Sequence, residues 1–272
     1  MRSRGALLVA AALIAGCTAS GARSTVASST PTGPHAVDLT VFAAASLAGV
    51  VEDLTEAYEA ASPGTTLTTS SDSSAALETQ IEHGAPADVF LSADTANPKK
   101  LVDRGFSAGE AVVFATNRLT VVVPSDNPGG VASPADLARL GVKIIAAGDE
   151  VPITAYARQL VANLAKEPGY PAGFEAAYDA NVVSREDNVK AVITKVEIGE
   201  GDAAIVYMTD AKASTGVRTI GVPDRANVTA RYAGVVVGAS ADQEGARTFL
   251  AWLTGPDGQA ILSSFGFLPP PS

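Results

Sequence analysis

Short apolar runs alternate with amphipathic stretches along the chain from about residue 38 onward. Most of these runs are continuous rather than alternating, which is typical of strands covered on both faces. The clearest strand candidates are "DLTVFA", "GTTLTTSS", "ADVFLSA", "RLTVVVPS", "VKIIAAG", "DAAIVYM" and "YAGVVVGA". Nearly all of them precede a stretch with helical spacing. This alternation predicts an α/β fold with mostly parallel sheets.

The length of this region indicates two lobes rather than one domain. The chain has 272 residues, and the part with alternating strands and helices is large for a single open sheet. Strongly apolar strands near 115–120 and 230–235 are the natural places for the chain to cross between lobes. We therefore expect one lobe at 38–118 plus 236–272 and the other at 119–235.

The N-terminus has the pattern of a secretion signal. Two arginines precede an apolar run at residues 6–15 that is too short to span a bilayer. The run ends in "LIAGC", which resembles a bacterial lipobox, so we expect a signal peptide at 1–16 and lipidation of Cys17. An ordinary signal peptide with an incidental cysteine is the alternative. Residues 17–37 then form the lipid anchor and a flexible tether, and the folded part is extracytoplasmic.

Charge and motif content argue against two classes of function. The formal charge of −10 disfavours nucleic acid as a partner. The only histidines are His35 and His83, and no nucleophile elbow, zinc-binding helix motif or Cys/His cluster occurs. We therefore expect a binding protein rather than an extracytoplasmic enzyme.

Five junctions between strands and helices carry the candidate chemistry. Ligands of open α/β sheets bind beyond the carboxyl ends of strands, where helix N-termini present free N–H groups. Taken singly, these residues have ordinary roles, such as helix caps for serine and core packing for tyrosine. The junctions contain Ser46, Ser73 with Ser74, Pro152, Asp187–Asn188 and Tyr207.

No lysine, arginine or histidine lies within three residues of Ser46, Ser74, Ile153 or Tyr207, and Lys190 lies beside the fourth junction. If the junctions meet, they form a pocket of hydroxyl and N–H donors that suits a small anion without protons of its own. Monohydrogen phosphate fits poorly, because its proton needs an acceptor. Asp72 would oppose an anion if it faced inward, and we expect it to face solvent or to cap the helix.

Several segments resemble the molybdate-binding proteins of bacterial molybdate ABC importers. The resemblance runs from about residue 38 to 268, and it is carried by "VFAAASL", "SSAALETQIEHGAPADVFLSAD", "VPITAYA", "DNVKAV", "AAIVYMTDA" and "FLAWLTGPDGQAILSSFGF". It implies a two-lobed, class II periplasmic-binding-protein fold. It further implies a monomer without cofactors that captures molybdate or tungstate and delivers it to an ABC permease. A binding protein for another oxyanion, such as sulfate, is the alternative, and a role in adhesion stays open as an addition.

The same resemblance implies the ligand donors. They are the hydroxyl and N–H of Ser46, the serine of the second junction at Ser74, the N–H of Ile153, the N–H of Val189, and Tyr207. Molybdenum would be held only as its oxyanion, without protein ligands to the metal. The family usually has Ala-Gly where this chain has Ile153-Thr154, and a small apolar residue where it has Asp72. The small side chains of Ala43–Ala45 would let the main chain approach the anion closely.

Overall fold

The structure is a computed structural model that describes residues 37–271. The signal peptide expected at 1–16, Cys17 and all but the last residue of the tether lie outside the described residues. Within the described part, no helix is both long enough and apolar enough to cross a membrane.

The described residues form strands and helices in near-regular alternation. The strands are β1 (Val37–Ala44), β2 (Thr65–Asp72), β3 (Val89–Ser92), β4 (Val112–Pro124), β5 (Ile144–Ala147), β6 (Val182–Glu186), β7 (Ala204–Tyr207), β8 (Val217–Ile220) and β9 (Thr229–Val236). The α-helices are α1 (Val51–Ala61), α2 (Ser74–Glu82), α3 (Ala96–Asp103), α4 (Pro152–Leu164), α5 (Phe174–Asn181), α6 (Val189–Glu197), α7 (Met208–Ala213), α8 (Gln243–Thr254) and α9 (Pro256–Phe265). Short 3-10 helices occupy Ala45–Leu47 and Pro134–Ala138.

The main sheet has the strand order β2-β1-β3-β9-β4-β7, and β8 also pairs with β4. Strands β1, β2 and β3 are parallel, whereas β4 and β9 run antiparallel to each of their neighbours. The α/β prediction is confirmed, but the sheet is mixed where the sequence predicted mostly parallel strands. Apolar runs buried on both faces do not reveal strand direction, so the pattern of β4 and β9 could not show it.

Strands β5 and β6 form a separate parallel pair. A single parallel bridge between Ile144 and Ala203 joins this pair to the start of β7. The sequence analysis missed β6 and β8, whose "VVSRE" and "VRTI" mix apolar with charged residues and lack a continuous apolar run.

Helices cover both faces of the sheet, as the continuous apolar runs predict. Val41 and Leu91 belong to a large core that also contains residues of α1 and α8. Phe42 and Phe90, their neighbours along the strands, instead pack with residues of α2 and α3 in a smaller cluster. Because neighbouring strand residues point to opposite faces, each strand contributes to both clusters.

The segment between α2 and β3 forms a turn. Gly84 follows the end of α2 with φ 87°, a left-handed conformation that costs glycine little. The turn returns the chain to β3, which pairs with β1 and ends beside the first two junctions.

Candidate functional site

All five residues that the resemblance implies as donors line one small cavity. The first two junctions contribute Ala44, Ala45, Ser46, Ser73, Ser74 and Ala93, and the others contribute Val151, Pro152, Ile153, Asn188, Val189 and Tyr207. Asp72 does not line it. Neither a lysine, an arginine nor a histidine is among these lining residues, so the predicted uncharged character holds for this cavity.

Ser46 sits in the 3-10 helix that directly follows β1, and it is buried. Its side chain does not cap that helix. Instead, its Oγ lies 3.0 Å from the hydroxyl of Tyr232, which donates to it. The Ser46 hydroxyl therefore keeps its own proton for the cavity, because an oxygen that accepts one hydrogen bond can still donate another.

Ser73 and Ser74 divide two roles at the start of α2. Ser73 is the N-cap, and its side chain accepts the N–H of Ala76 at 3.2 Å. Ser74, the first helical residue, is buried, and its Oγ accepts the N–H of Ala93 at 3.0 Å. The ordinary capping role thus belongs to Ser73, and the Ser74 proton is left for the cavity.

The α4 and α6 junctions present main-chain donors. Pro152 is the first residue of α4, where its missing N–H costs nothing, and Ile153 follows it. Asn188 caps α6 by accepting the N–H of Ala191 at 3.0 Å, and Val189 is the first helical residue. Within the described part of the chain, the N–H groups of Ile153 and Val189 have no hydrogen-bond acceptor. First-turn N–H groups of this kind favour an anion.

Tyr207 ends β7 with its side chain buried, and its hydroxyl has no hydrogen-bond partner among the described residues. Burial above all, and then the neighbouring Tyr232, raise the pKa of Tyr207 well above its ordinary value. The hydroxyl therefore stays protonated at neutral pH. An orphaned buried donor is costly, and an acceptor placed in the cavity would satisfy it.

The expected carboxylate beside the second junction is held out of the cavity. Asp72 is half-buried and its Oδ1 accepts the N–H of Ser73 at 2.7 Å. The expectation that it would cap or face solvent fits this contact. Of the three alanines before Ser46, Ala44 and Ala45 line the cavity, whereas Ala43 is packed in the core.

The sequence analysis missed Tyr232. Its ring packs edge-on against Tyr207, with centroids 5.5 Å apart, and its hydroxyl contacts Ser46. A tyrosine inside an apolar strand has no local signal that separates a hydrogen-bonding role from core packing, so only the fold reveals this one.

The described residues include no group of three or more His, Cys, Asp or Glu side chains that could hold a metal ion. The donor set around the cavity consists of hydroxyls and N–H groups, which bind oxyanion oxygens rather than a bare cation. Chemically, the arrangement can bind and orient an anion. It brings together neither a nucleophile with a base nor a pair of carboxyl groups.

Comparisons with known proteins agree with this reading. The molybdate-binding protein ModA of Mycobacterium tuberculosis is 35% identical over 97% of both chains. A putative ABC transporter substrate-binding lipoprotein, YvgL of Bacillus subtilis, is 28% identical over 96% of this chain and 95% of its own.

Solved structures show the same two-lobed fold. The periplasmic molybdate-binding protein of Azotobacter vinelandii superposes with a TM-score of 0.70 at 26% identity, covering 86% of this chain and all of that one. The sulfate-binding protein SubI of M. tuberculosis reaches a TM-score of 0.76 at 21% identity, over 86% of this chain and 87% of its own, and shows the fold alone. A family model of bacterial extracellular solute-binding proteins matches residues 39–268. The chain belongs to the family of bacterial extracellular solute-binding proteins.

Proposed function

We propose that this protein binds molybdate, and also tungstate, through Ser46, Ser74, Ile153, Val189 and Tyr207, and delivers the oxyanion to an ABC permease. One observation carries the proposal: five separated junctions meet at one small cavity whose free groups are hydrogen-bond donors without a cationic side chain. The relatives' names support the choice of ligand.

Donor geometry favours a fully deprotonated dianion. The oxygens of Ser46 and Ser74 already accept hydrogen bonds from within the protein, and the Tyr207 hydroxyl has no partner in the described part of the chain. A proton on the oxyanion would turn one of its oxygens into a donor directed at groups that act as donors here, so the hydrogen bonds would be less complete than with a fully deprotonated anion. The site therefore disfavours protonated phosphate or arsenate by hydrogen bonding, and we expect it to favour molybdate and tungstate over the smaller sulfate by size.

We further propose that lobes at 38–118 plus 236–272 and at 119–235 close on the ligand. Ser46 and Ser74 belong to the first lobe, whereas Ile153, Val189 and Tyr207 belong to the second. Strands β4 and β9, which pair over Val112–Arg118 and Thr229–Gly234, would carry the two crossings. An anion held by donors of both lobes stabilises the closed arrangement, since it contacts both sides only there.

We also propose that the protein is held at the membrane by its N-terminus. Cleavage before Cys17 and lipidation of this residue would anchor a monomeric protein to the outer side of the membrane. The B. subtilis relative described as a lipoprotein supports this assignment. Mass spectrometry of the N-terminal peptide from membrane fractions, compared with that of a Cys17→Ser variant, tests it: the lipidated peptide is expected only with the cysteine.

Titration calorimetry with molybdate, tungstate, sulfate and phosphate tests the ligand assignment. We expect tight binding of the first two anions and at least a hundredfold weaker binding of the others, a difference of about 2.7 kcal/mol. Thermal unfolding gives an independent readout, because a ligand at 100 times its Kd adds about 2.7 kcal/mol of stability. An equal response to sulfate would refute the selectivity, and no response to molybdate would refute the function.

A further inference from the structure

We infer that Tyr232, held by Asn117, is a positioning residue that fixes the direction of the Ser46 hydroxyl, so that Ser46 offers a proton rather than a lone pair to the bound oxyanion. This inference rests on the proposed function. It rests also on a buried chain of hydrogen bonds that runs from Thr209 through Asn117 and Tyr232 to Ser46.

The position of the Tyr232 ring leaves its hydroxyl little freedom. Tyr232 is fully buried in β9, and its ring packs edge-on against three aromatic rings. The centroids lie 6.1 Å from Phe114, 5.5 Å from Tyr207 and 5.3 Å from Phe267. Such packing fixes the oxygen in place, 3.0 Å from the Oγ of Ser46.

Asn117 sets the direction of the hydrogen bond at Tyr232. Its Oδ1 accepts the N–H of Arg118 at 2.9 Å, which orients the amide, so the Nδ2 group points to the other partners. Nδ2 lies 2.8 Å from the Oγ1 of Thr209 and 3.5 Å from the hydroxyl oxygen of Tyr232. An amide nitrogen has two protons and no lone pair to offer, so Tyr232 accepts from it and can donate only elsewhere.

The direction of each hydrogen bond therefore determines the direction of the next one, as far as the cavity. Asn117 donates to Tyr232, Tyr232 donates to Ser46, and Ser46 is left with a proton directed at the ligand. With the order reversed, Ser46 would donate to Tyr232 and turn a lone pair toward a dianion, which is repulsive. Burial raises the pKa of Tyr232 well above its ordinary value, so its hydroxyl keeps the proton that this order needs.

This series of hydrogen bonds also crosses the proposed boundary between the lobes. Thr209 lies in α7, Asn117 and Tyr232 lie in the two long antiparallel strands β4 and β9, and Ser46 lies after β1. All four residues are buried. Asn117 and Tyr232 are fully buried, so water does not reach the hydrogen bond between them, and the direction set at Asn117 is passed on to Ser46.

A double-mutant cycle with molybdate tests this role. Tyr232→Phe keeps the ring and removes the hydroxyl, Ser46→Ala removes its target, and the third variant carries both changes. We expect Tyr232→Phe alone to weaken molybdate binding about tenfold, as one hydrogen bond to a charged ligand would. In the Ser46→Ala background, we expect the same change to weaken binding less than about twofold, because the residue it acts through is gone.

Two controls separate the possible failures. Tyr58→Phe alters another buried tyrosine, packed against Phe249 and Trp252 and outside the cavity lining, and should leave affinity unchanged. Thermal unfolding of the ligand-free variants confirms that each one is folded. If the wild-type protein does not bind molybdate, the proposed function fails. If it binds and Ser46→Ala weakens binding, but Tyr232→Phe costs the same affinity in both backgrounds or none in either, the positioning role is overturned.

Discussion

The Oγ of Ser74 accepts the N–H of Ala93 at 3.0 Å, which ties the first residue of α2 to the end of β3. Ser74 and Ala93 are distant in sequence and belong to different parts of the fold. Their hydrogen bond occupies one acceptor position of the Ser74 hydroxyl. What remains on the cavity side is the hydroxyl proton. Ser46 reaches the same state through Tyr232, and the Tyr207 hydroxyl does so because it has no partner within residues 37–271.

Replacement of Ser74 should affect both stability and affinity. Ser74→Ala removes a donor to the ligand and leaves the buried N–H of Ala93 without its acceptor, so we expect affinity for molybdate to fall about tenfold or more and the free energy of unfolding to fall by about 1–3 kcal/mol. Ser73→Ala is the matched control. It loses the cap on α2, worth about 1 kcal/mol, and should leave affinity within about threefold. Calorimetry and chemical denaturation of both variants measure the two effects, and equal losses of affinity would contradict the division of roles.

Tyr207→Phe should have opposite effects on stability and binding. The variant removes a buried hydroxyl without a partner, so the ligand-free protein should be as stable as the wild type or more stable by about 1 kcal/mol. Affinity for molybdate should fall, because the orphaned donor is the one the ligand would satisfy. Tyr178→Phe alters another buried tyrosine outside this cavity and should leave affinity unchanged. Lower stability together with unchanged affinity in Tyr207→Phe would refute the assignment.

Val189 allows a main-chain donor to be removed alone. It is the first residue of α6, and Asn188 before it is extended, with φ −157° and ψ 167°, as a residue before proline prefers. Val189→Pro should therefore fold while it loses the free N–H, and affinity should fall about tenfold. Val189→Ala shortens the side chain but keeps the N–H. If calorimetry gives both variants the same affinity, the N–H is not a ligand donor.

Asp210 should make the stability of the protein depend on pH. Burial raises its pKa from 3.8 to about 8, although Lys190 and a main-chain hydrogen bond at Tyr207 oppose the shift. The folded state thus keeps a proton that the unfolded chain releases, so the group's contribution to stability is full below about pH 4 and is lost as the pH rises to about 8.

The measurement is the free energy of unfolding of the ligand-free protein between about pH 5 and pH 8. Asp210→Asn, which stays neutral, should show a less steep decline with pH than the wild type. Asp126→Asn, at an exposed site, serves as the control and should retain the wild-type slope. A wild-type slope in Asp210→Asn would show that this carboxyl is ionised in the folded protein.

Much of the architecture follows from local pattern. Continuous apolar runs predict β1, β3, β5 and β7, and residues such as Asn188, the cap of α6, predict where helices begin. The direction of β4 and β9 could not be predicted, because burial on both faces is the same for parallel and antiparallel strands. Strands β6 and β8 were not predicted either, because their sequences mix apolar with charged residues.

For the candidate site, too, only part could be predicted from the sequence. The five proposed donors follow from junction residues and from the family resemblance, and all of them line one cavity. The contacts that decide what each donor offers depend on partners distant in sequence: Ala93 for Ser74, and Tyr232 for Ser46. Such partners are set by strand order and packing, for which a single sequence has no local signal.

Diffraction from crystals grown with molybdate, recorded at the molybdenum absorption edge, would locate the anion and its donors. We expect one anomalous peak inside the cavity, with oxyanion oxygens about 2.7–3.1 Å from the hydroxyls of Ser46, Ser74 and Tyr207 and from the N–H groups of Ile153 and Val189. A peak elsewhere, or an oxyanion bound there through a lysine or arginine side chain, would contradict it.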